Sequence, residues 1–186
     1  MPRPLRIQFP DAYYHVFNRG VNKGEIFFND SDRWVFLKIL GDAALKLKLR
    51  IFSYCLMDNH FHIFLRITSP NLDRFMQMLQ GRYAQYINLR YMRVGSFFQG
   101  RYKSRLVEAD AYGLALVRYI HQNPVVSGTT QSLEDFSWSS YSCYTGKNQT
   151  WDWLDTNWVL SQFNEDREAA LYLFKQFHEV SKGSDP

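Results

Sequence analysis

Two histidines one residue apart, His60-Phe61-His62, are the local feature of this sequence best suited to chemistry. Side chains alternate along a strand, so His60 and His62 share one face while Phe61, Ile63, Leu65 and Ile67 share the other. Two adjacent imidazoles suit metal ligation, and the plainer alternative is a pair of hydrogen-bonded surface histidines. Tyr119 and Asn123 stand four residues apart in a helical pattern, which puts them on one flank of that helix. Together the four residues form a coherent set. A site of two imidazoles and one amide oxygen suits Mg2+ or Mn2+, with Zn2+ also admissible, and a phenol oxygen beside it can attack a polarised phosphate. The free phenol pKa is about 10, so such a nucleophile needs help at neutral pH. The plainer reading makes Tyr119 a core tyrosine and Asn123 a helix-end cap.

The elements that must hold these residues follow from hydrophobic period and turn signals. Ala12–Arg19 reads as a strand ended by Gly20 and a loop through Gly24. Asp30 or Ser31 caps a helix running to about Leu49, with Trp34, Leu37, Ala44 and Leu47 among its apolar positions. Ile51–Leu56 and His60–Ile67 make a hairpin across Met57-Asp58-Asn59. Leu72–Met92 repeats apolar residues at helical spacing, and Ser104–Val107 is a short strand. Asp110 caps a last helix that Pro124 stops, and the proline rule sets Asn123 off its final turn. The order strand, helix, strand, strand, helix, strand, helix matches a ferredoxin-like split βαβ arrangement, an α+β fold. Two helices then cover one face of an antiparallel sheet, and the other face is left for a site crossed by the last helix.

Composition narrows the function classes. At 186 residues, 46% apolar and 22% charged, the chain folds without needing disulfides, and wholesale disorder and collagen-like structure are excluded. No apolar run approaches a membrane span, and MPRPLRIQFP does not read as a secretory signal. Cys55 and Cys143 stand apart with no CxxC pair, so a cytoplasmic protein is expected. The net charge of +4 is unevenly spread. Residues 1–150 hold 19 Lys/Arg against 11 Asp/Glu, whereas residues 151–186 hold 3 against 7. From Arg74 to Arg105 there are seven basic residues and no acid, interleaved with aromatics such as Tyr83, Tyr86, Tyr91, Phe97 and Phe98. That pattern fits a phosphate backbone and stacked unpaired bases, or else a core with a solvated face.

Four strings carry a resemblance: YHVFNRG (Tyr14–Gly20), MDNHFHIFL (Met57–Leu65), FFQGRYKSRLV (Phe97–Val107) and VRYIHQNPVVSG (Val117–Gly128). In that order the sequence resembles the single-tyrosine transposases of the HUH nuclease superfamily, and within them the REP-associated tyrosine transposases, over roughly residues 10–145. The resemblance implies a ferredoxin-like α+β domain with the HUH strand central. It makes His60 and His62 metal ligands, Tyr119 the nucleophile, and Asn123 the third ligand, a position held by Gln in many insertion-sequence relatives. It implies attack on single-stranded or hairpin DNA, leaving a 5′-phosphotyrosine and a free 3′-OH that later reverses the reaction. A bond conserved in this way needs no ATP and no phosphate-binding loop. Mg2+ or Mn2+ is the implied cofactor, DNA the partner, and a bacterial cytoplasm, on the nucleoid, the place of action. Arg82, Arg90, Arg93, Arg101, Lys103 and Arg105 become candidate phosphate contacts, with Arg19, Lys23 and Arg118 weaker ones.

The remaining histidines read plainly: His15 as a structural hydrogen bond on the first strand, His121 as pointing away from Tyr119, His178 as part of the tail. Trp138 and Tyr141 read as packing in an irregular, partly buried stretch over 125–150. Residues 151–186 read as an acidic extension of the 1–150 domain with two short helices, Asn164 capping the second, and no motif assigns it a role. Two competing functions stay open: a non-catalytic nucleic-acid-binding module on the same sheet, and a phosphodiesterase using water in place of tyrosine. Either a monomer or a homodimer is compatible.

Overall fold

Successive side chains of each strand point to opposite faces, so that a single sheet carries two different faces. The computed structural model describes residues 7–108, 111–148 and 150–179. The strands are β1 (Tyr13–Arg19), β2 (Arg50–Met57), β3 (His60–Arg66) and β4 (Lys103–Val107), joined by α1 (Asp30–Leu47) and α2 (Leu72–Arg90). The spatial order is β2-β3-β1-β4, antiparallel throughout, which puts the histidine strand β3 inside the sheet. This is the expected α+β arrangement. Tyr14, Val16, Ile63, Leu65, Tyr54 and Leu56 face α1 and α2 and form the first core with Phe36, Leu40, Phe75, Leu79 and Tyr83. Asn29 caps α1 by accepting from the Asp32 amide, one residue ahead of the expected position. Trp34 turns outward from α1, 54% exposed, and packs edge-on against Trp138 and Trp151.

The second face is shared between the site and a second core. α3 (Ala111–Val126) lies across β2 and β3, followed by the short α4 (Tyr141–Tyr144), α5 (Thr156–Ser161) and α6 (Arg167–Glu179). Leu116, Val117 and Ile120 of α3 join Phe52, Cys55 and Phe64 of the sheet and Val159, Leu160 and Phe174 of the C-terminal helices. The outer edge of β2 is closed by later backbone: Leu56 donates to Trp138 at 2.9 Å, Ser140 to Tyr54 at 3.0 Å and Asp155 to Ile51 at 2.8 Å. Sheet edges left open invite association, so this strapping also protects β2.

Three local expectations need adjustment. Pro124 does not stop α3: it stands inside the last turn, where only one backbone bond is forfeited, and the Ser127 amide bonds the Asn123 carbonyl at 2.9 Å. Asn123 therefore stays helical. At the start of α6 the Asp166 carboxylate, not Asn164, accepts from the Ala169 amide at 2.8 Å, while the Asn164 side chain accepts from Asp166. The cap assigned to Asp110 lies outside the described residues.

Candidate active site

Antiparallel register builds the site in rows. Cys55, His62, Phe17 and Lys103 are cross-strand neighbours in one row, and Met57, His60 and Arg19 form the next. A third row sets Phe64 beside His15, with Arg105 on its far side. Partners directly opposite share a face, so all of these project away from α1 and α2. The turn before His60 is anchored from outside the hairpin. The Asp58 carbonyl accepts from the Ile26 and Phe27 amides, its carboxylate pairs with Arg33, and the Asn59 carbonyl accepts from Gly20.

The two HUH imidazoles are 5.1 Å apart between ring centroids and nearly perpendicular. Each has its Nδ1 engaged. His60 Nδ1 lies 2.6 Å from Asn59 Oδ1, and His62 Nδ1 lies 2.8 Å from His15 Nε2. An amide oxygen only accepts, so His60 carries its proton on Nδ1 and keeps a lone pair on Nε2. The same tautomer at His62 requires that its Nδ1 donate to His15 Nε2. Burial lowers the pKa of all three rings: His62 well below the ordinary value, with the His15 and His60 charges adding to the effect, and His15 to about 4, with Arg105 adding. His60 is lowered by burial and by Arg19, against opposing contributions from Asn123 and Asp58. Neutral imidazoles with free lone pairs are what a cation requires.

α3 brings the other two residues. The edge of the Tyr119 ring meets His62 at 5.7 Å and His15 at 6.0 Å between centroids. The Asn123 Nδ2 donates to the Tyr119 carbonyl at 3.1 Å, and the same side chain stands beside His60. Among the described residues no group of three or more His, Cys, Asp or Glu is arranged to hold a metal. The donor set that fits is mixed: two imidazole Nε2 atoms and one amide oxygen, all uncharged. Such a site is open and weak, and it suits a cation whose charge is balanced by a phosphate. Beside His60 a cleft of about 500 Å3 is lined by Phe17, Asn18, Arg19, Lys23, Asn59, Gln99 and Lys103.

The profile of the family described as "Transposase IS200 like" matches residues 8–123. The chain belongs to the IS200-like transposase family. Its function in coarse terms is transposase-like DNA processing. A REP-associated tyrosine transposase, solved bound to a REP hairpin, has a similar fold: TM-score 0.68 at 12% identity, covering 84% of this chain and 94% of that one. A putative transposase from Deinococcus radiodurans aligns at 17% identity and TM-score 0.45, covering 66% and 97% respectively. No curated protein matches the chain in sequence. Among the described residues no helix is long and apolar enough to cross a membrane.

In this IS200-like transposase the acid-free basic window is divided by the fold. Lys103 and Arg105 project on the site face, Lys103 above Phe17, and Arg19 and Lys23 line the cleft. Arg82 and Arg90 belong to α2, behind the sheet. Arg90 stacks on Tyr86 and Tyr91, 3.7 Å from the buried Asp32 carboxylate that also accepts from both phenols. Arg93 lies over Phe28 and Phe97, and Arg101 pairs with Asp73 at 3.3 Å. Of the residues outside the expected set, His15, Asn59 and Gln99 matter most: the first two fix the imidazoles, and Gln99 accepts from Arg19. For Asn59 the only sequence signal was its place inside MDNHFHIFL, and nothing in sequence pairs His15 with His62.

Proposed function

We propose that the protein is a divalent-metal-dependent DNA strand transferase of the REP-associated type, which nicks and rejoins single-stranded or hairpin DNA through Tyr119. The observation that carries this reading is the Tyr119 ring set edge-on to His62, with Asn123 one turn further along the same helix and beside His60. His60, His62 and Asn123 would hold Mg2+ or Mn2+, which supplies charge neutralisation at the scissile phosphate. The Tyr119 oxygen attacks phosphorus, the P–O3′ bond breaks, and the phenol proton is balanced by protonation of the departing 3′ oxygen. The product is a 5′-phosphotyrosine and a free 3′-OH, and the reverse attack rejoins strands with no external energy source. Lys103, Arg105, Arg19 and Lys23 bind the backbone next to the reacting phosphate. Arg82, Arg90, Arg93 and Arg101 contact DNA that extends past the sheet, including the stem of a hairpin.

The test is a denaturing-gel assay with labelled single-stranded and hairpin DNA. Wild type is expected to form a metal-dependent covalent band. Tyr119→Phe is expected to lower its rate by at least about a thousandfold while DNA affinity persists. An adduct that survives Tyr119→Phe overturns the nucleophile assignment. Tight DNA binding without any adduct, across hairpins and metals, points to the binding module. Multiple turnover without a covalent intermediate points to a water nucleophile.

A further inference from the structure

α3 has three occupied faces. Leu116, Val117 and Ile120 pack into the second core, Tyr119 and Asn123 meet the histidines, and Arg118, His121 and Gln122 meet α6. The contacts to α6 are specific. Arg118 donates to the Phe177 carbonyl at 3.3 Å and stacks on the Phe177 ring at 4.4 Å. Gln122 Nε2 donates to the His178 carbonyl at 2.7 Å. Between them His121 and His178, both buried, bond Nδ1 to Nε2 at 3.0 Å.

The proton positions along this contact follow from its ends. His178 Nδ1 lies 2.8 Å from the Phe174 carbonyl, which only accepts, so His178 donates there and accepts at Nε2 from His121. His121 Nε2 in turn accepts from the Ser140 hydroxyl at 2.7 Å, and Ser140 accepts from the Tyr54 amide of β2 at 3.0 Å. One directed hydrogen-bond chain thus runs from the sheet through α3 into α6. A buried chain with every member satisfied admits one arrangement, because slipping either helix strands a polar group.

We propose that α6 is the clamp that sets Tyr119 over the histidines, with Arg118, His121 and Gln122 acting as positioning residues through α3. The proposal rests on Tyr119 being the nucleophile. Residues 118 and 122 flank Tyr119 and Asn123 along the helix, so the rotation of α3 that α6 enforces is the rotation that aims the phenol. This assigns to the acidic C-terminal segment a role in the reaction, and it makes Arg118 a helix clamp and not a phosphate contact.

The test uses the full chain, an Arg118→Met/Gln122→Met double variant, and His178→Leu as an independent disruption. Amide exchange across α3 and single-turnover adduct formation at saturating DNA are measured beside DNA affinity. The expected result is faster exchange at Tyr119–Asn123 and an adduct rate lowered about tenfold to a hundredfold, with DNA affinity unchanged. Unchanged exchange in α3 overturns the clamp whether or not an adduct forms. Faster exchange with an unchanged adduct rate overturns the positioning role and leaves α6 merely structural. Weakened DNA affinity in the double variant returns Arg118 to the phosphate contacts. Absence of an adduct in wild type defeats the nucleophile reading and the positioning role with it, and the exchange arm then separately decides whether α6 restrains α3.

Discussion

At the scale of residues, what distinguishes the HUH pair from two surface histidines is what holds their other nitrogens. Asn59 and His15 take the two Nδ1 atoms and leave Nε2 available on both rings. Such partners orient ligands and raise their basicity. His15→Leu is therefore expected to weaken Mn2+ binding about 10–100-fold, with His15→Gln, which keeps an acceptor for His62, recovering much of it. Titration calorimetry with Mn2+ checks this, and equal affinities for wild type and His15→Leu would remove His15 from the site. The histidine pair and the Tyr119/Asn123 spacing were legible because strand and helix periods operate over a few residues. The His15–His62 contact was not, since 47 residues separate its partners.

At the scale of elements, the hairpin, the helices and β4 are legible from period and turn residues, with boundary differences of one to three residues. The exceptions have physical causes. A proline in the last turn costs a helix little, so α3 continues past Pro124. Gly20 ends β1, as its type predicts, but the reason is spatial. A Cβ there would collide with the Gly24 carbonyl and press on Ile26. Because that obstacle is backbone, Gly20→Ala must move the loop that carries Lys23 beside the cleft. A loss of about 1–3 kcal/mol in urea unfolding is expected, together with reduced adduct formation. Stability and adduct formation equal to wild type would show that the loop adapts freely.

At the scale of the whole molecule, two cores share one sheet, and the second is completed by residues that read as an appendage. Phe174 and Leu160 are buried against α3 and β2, and the buried His178 ring packs on Phe174 and Tyr141. Burial, and then the Arg118 charge, lowers the His178 pKa to about 4 from the ordinary 6.5. The folded chain thus keeps His178 neutral where the unfolded chain is already protonated. Stability from this group is full above about pH 6.5 and falls with acidification at up to about 1.4 kcal/mol per pH unit until about pH 4. Urea unfolding at pH 7 and pH 5 is expected to show a stability drop for wild type that is smaller in His178→Gln. Identical drops would mean that His178 titrates normally.

Sequence alone determined the fold class, the strand face that carries His60 and His62, the helix flank shared by Tyr119 and Asn123, and the family to which the motifs point. These are periodic or contiguous properties, set by side-chain alternation and helical spacing within single elements. Tertiary structure decided which cations reach the site. In one acid-free window Lys103 and Arg105 fall on the site face while Arg74, Arg82 and Arg90 fall behind the sheet, because a strand and a helix in that window pack on different layers. It also decided the partners of His62, His121 and His178 and the place of the C-terminal helices. Those contacts join segments about 50 residues apart, and only the packing of both cores brings them within hydrogen-bond reach.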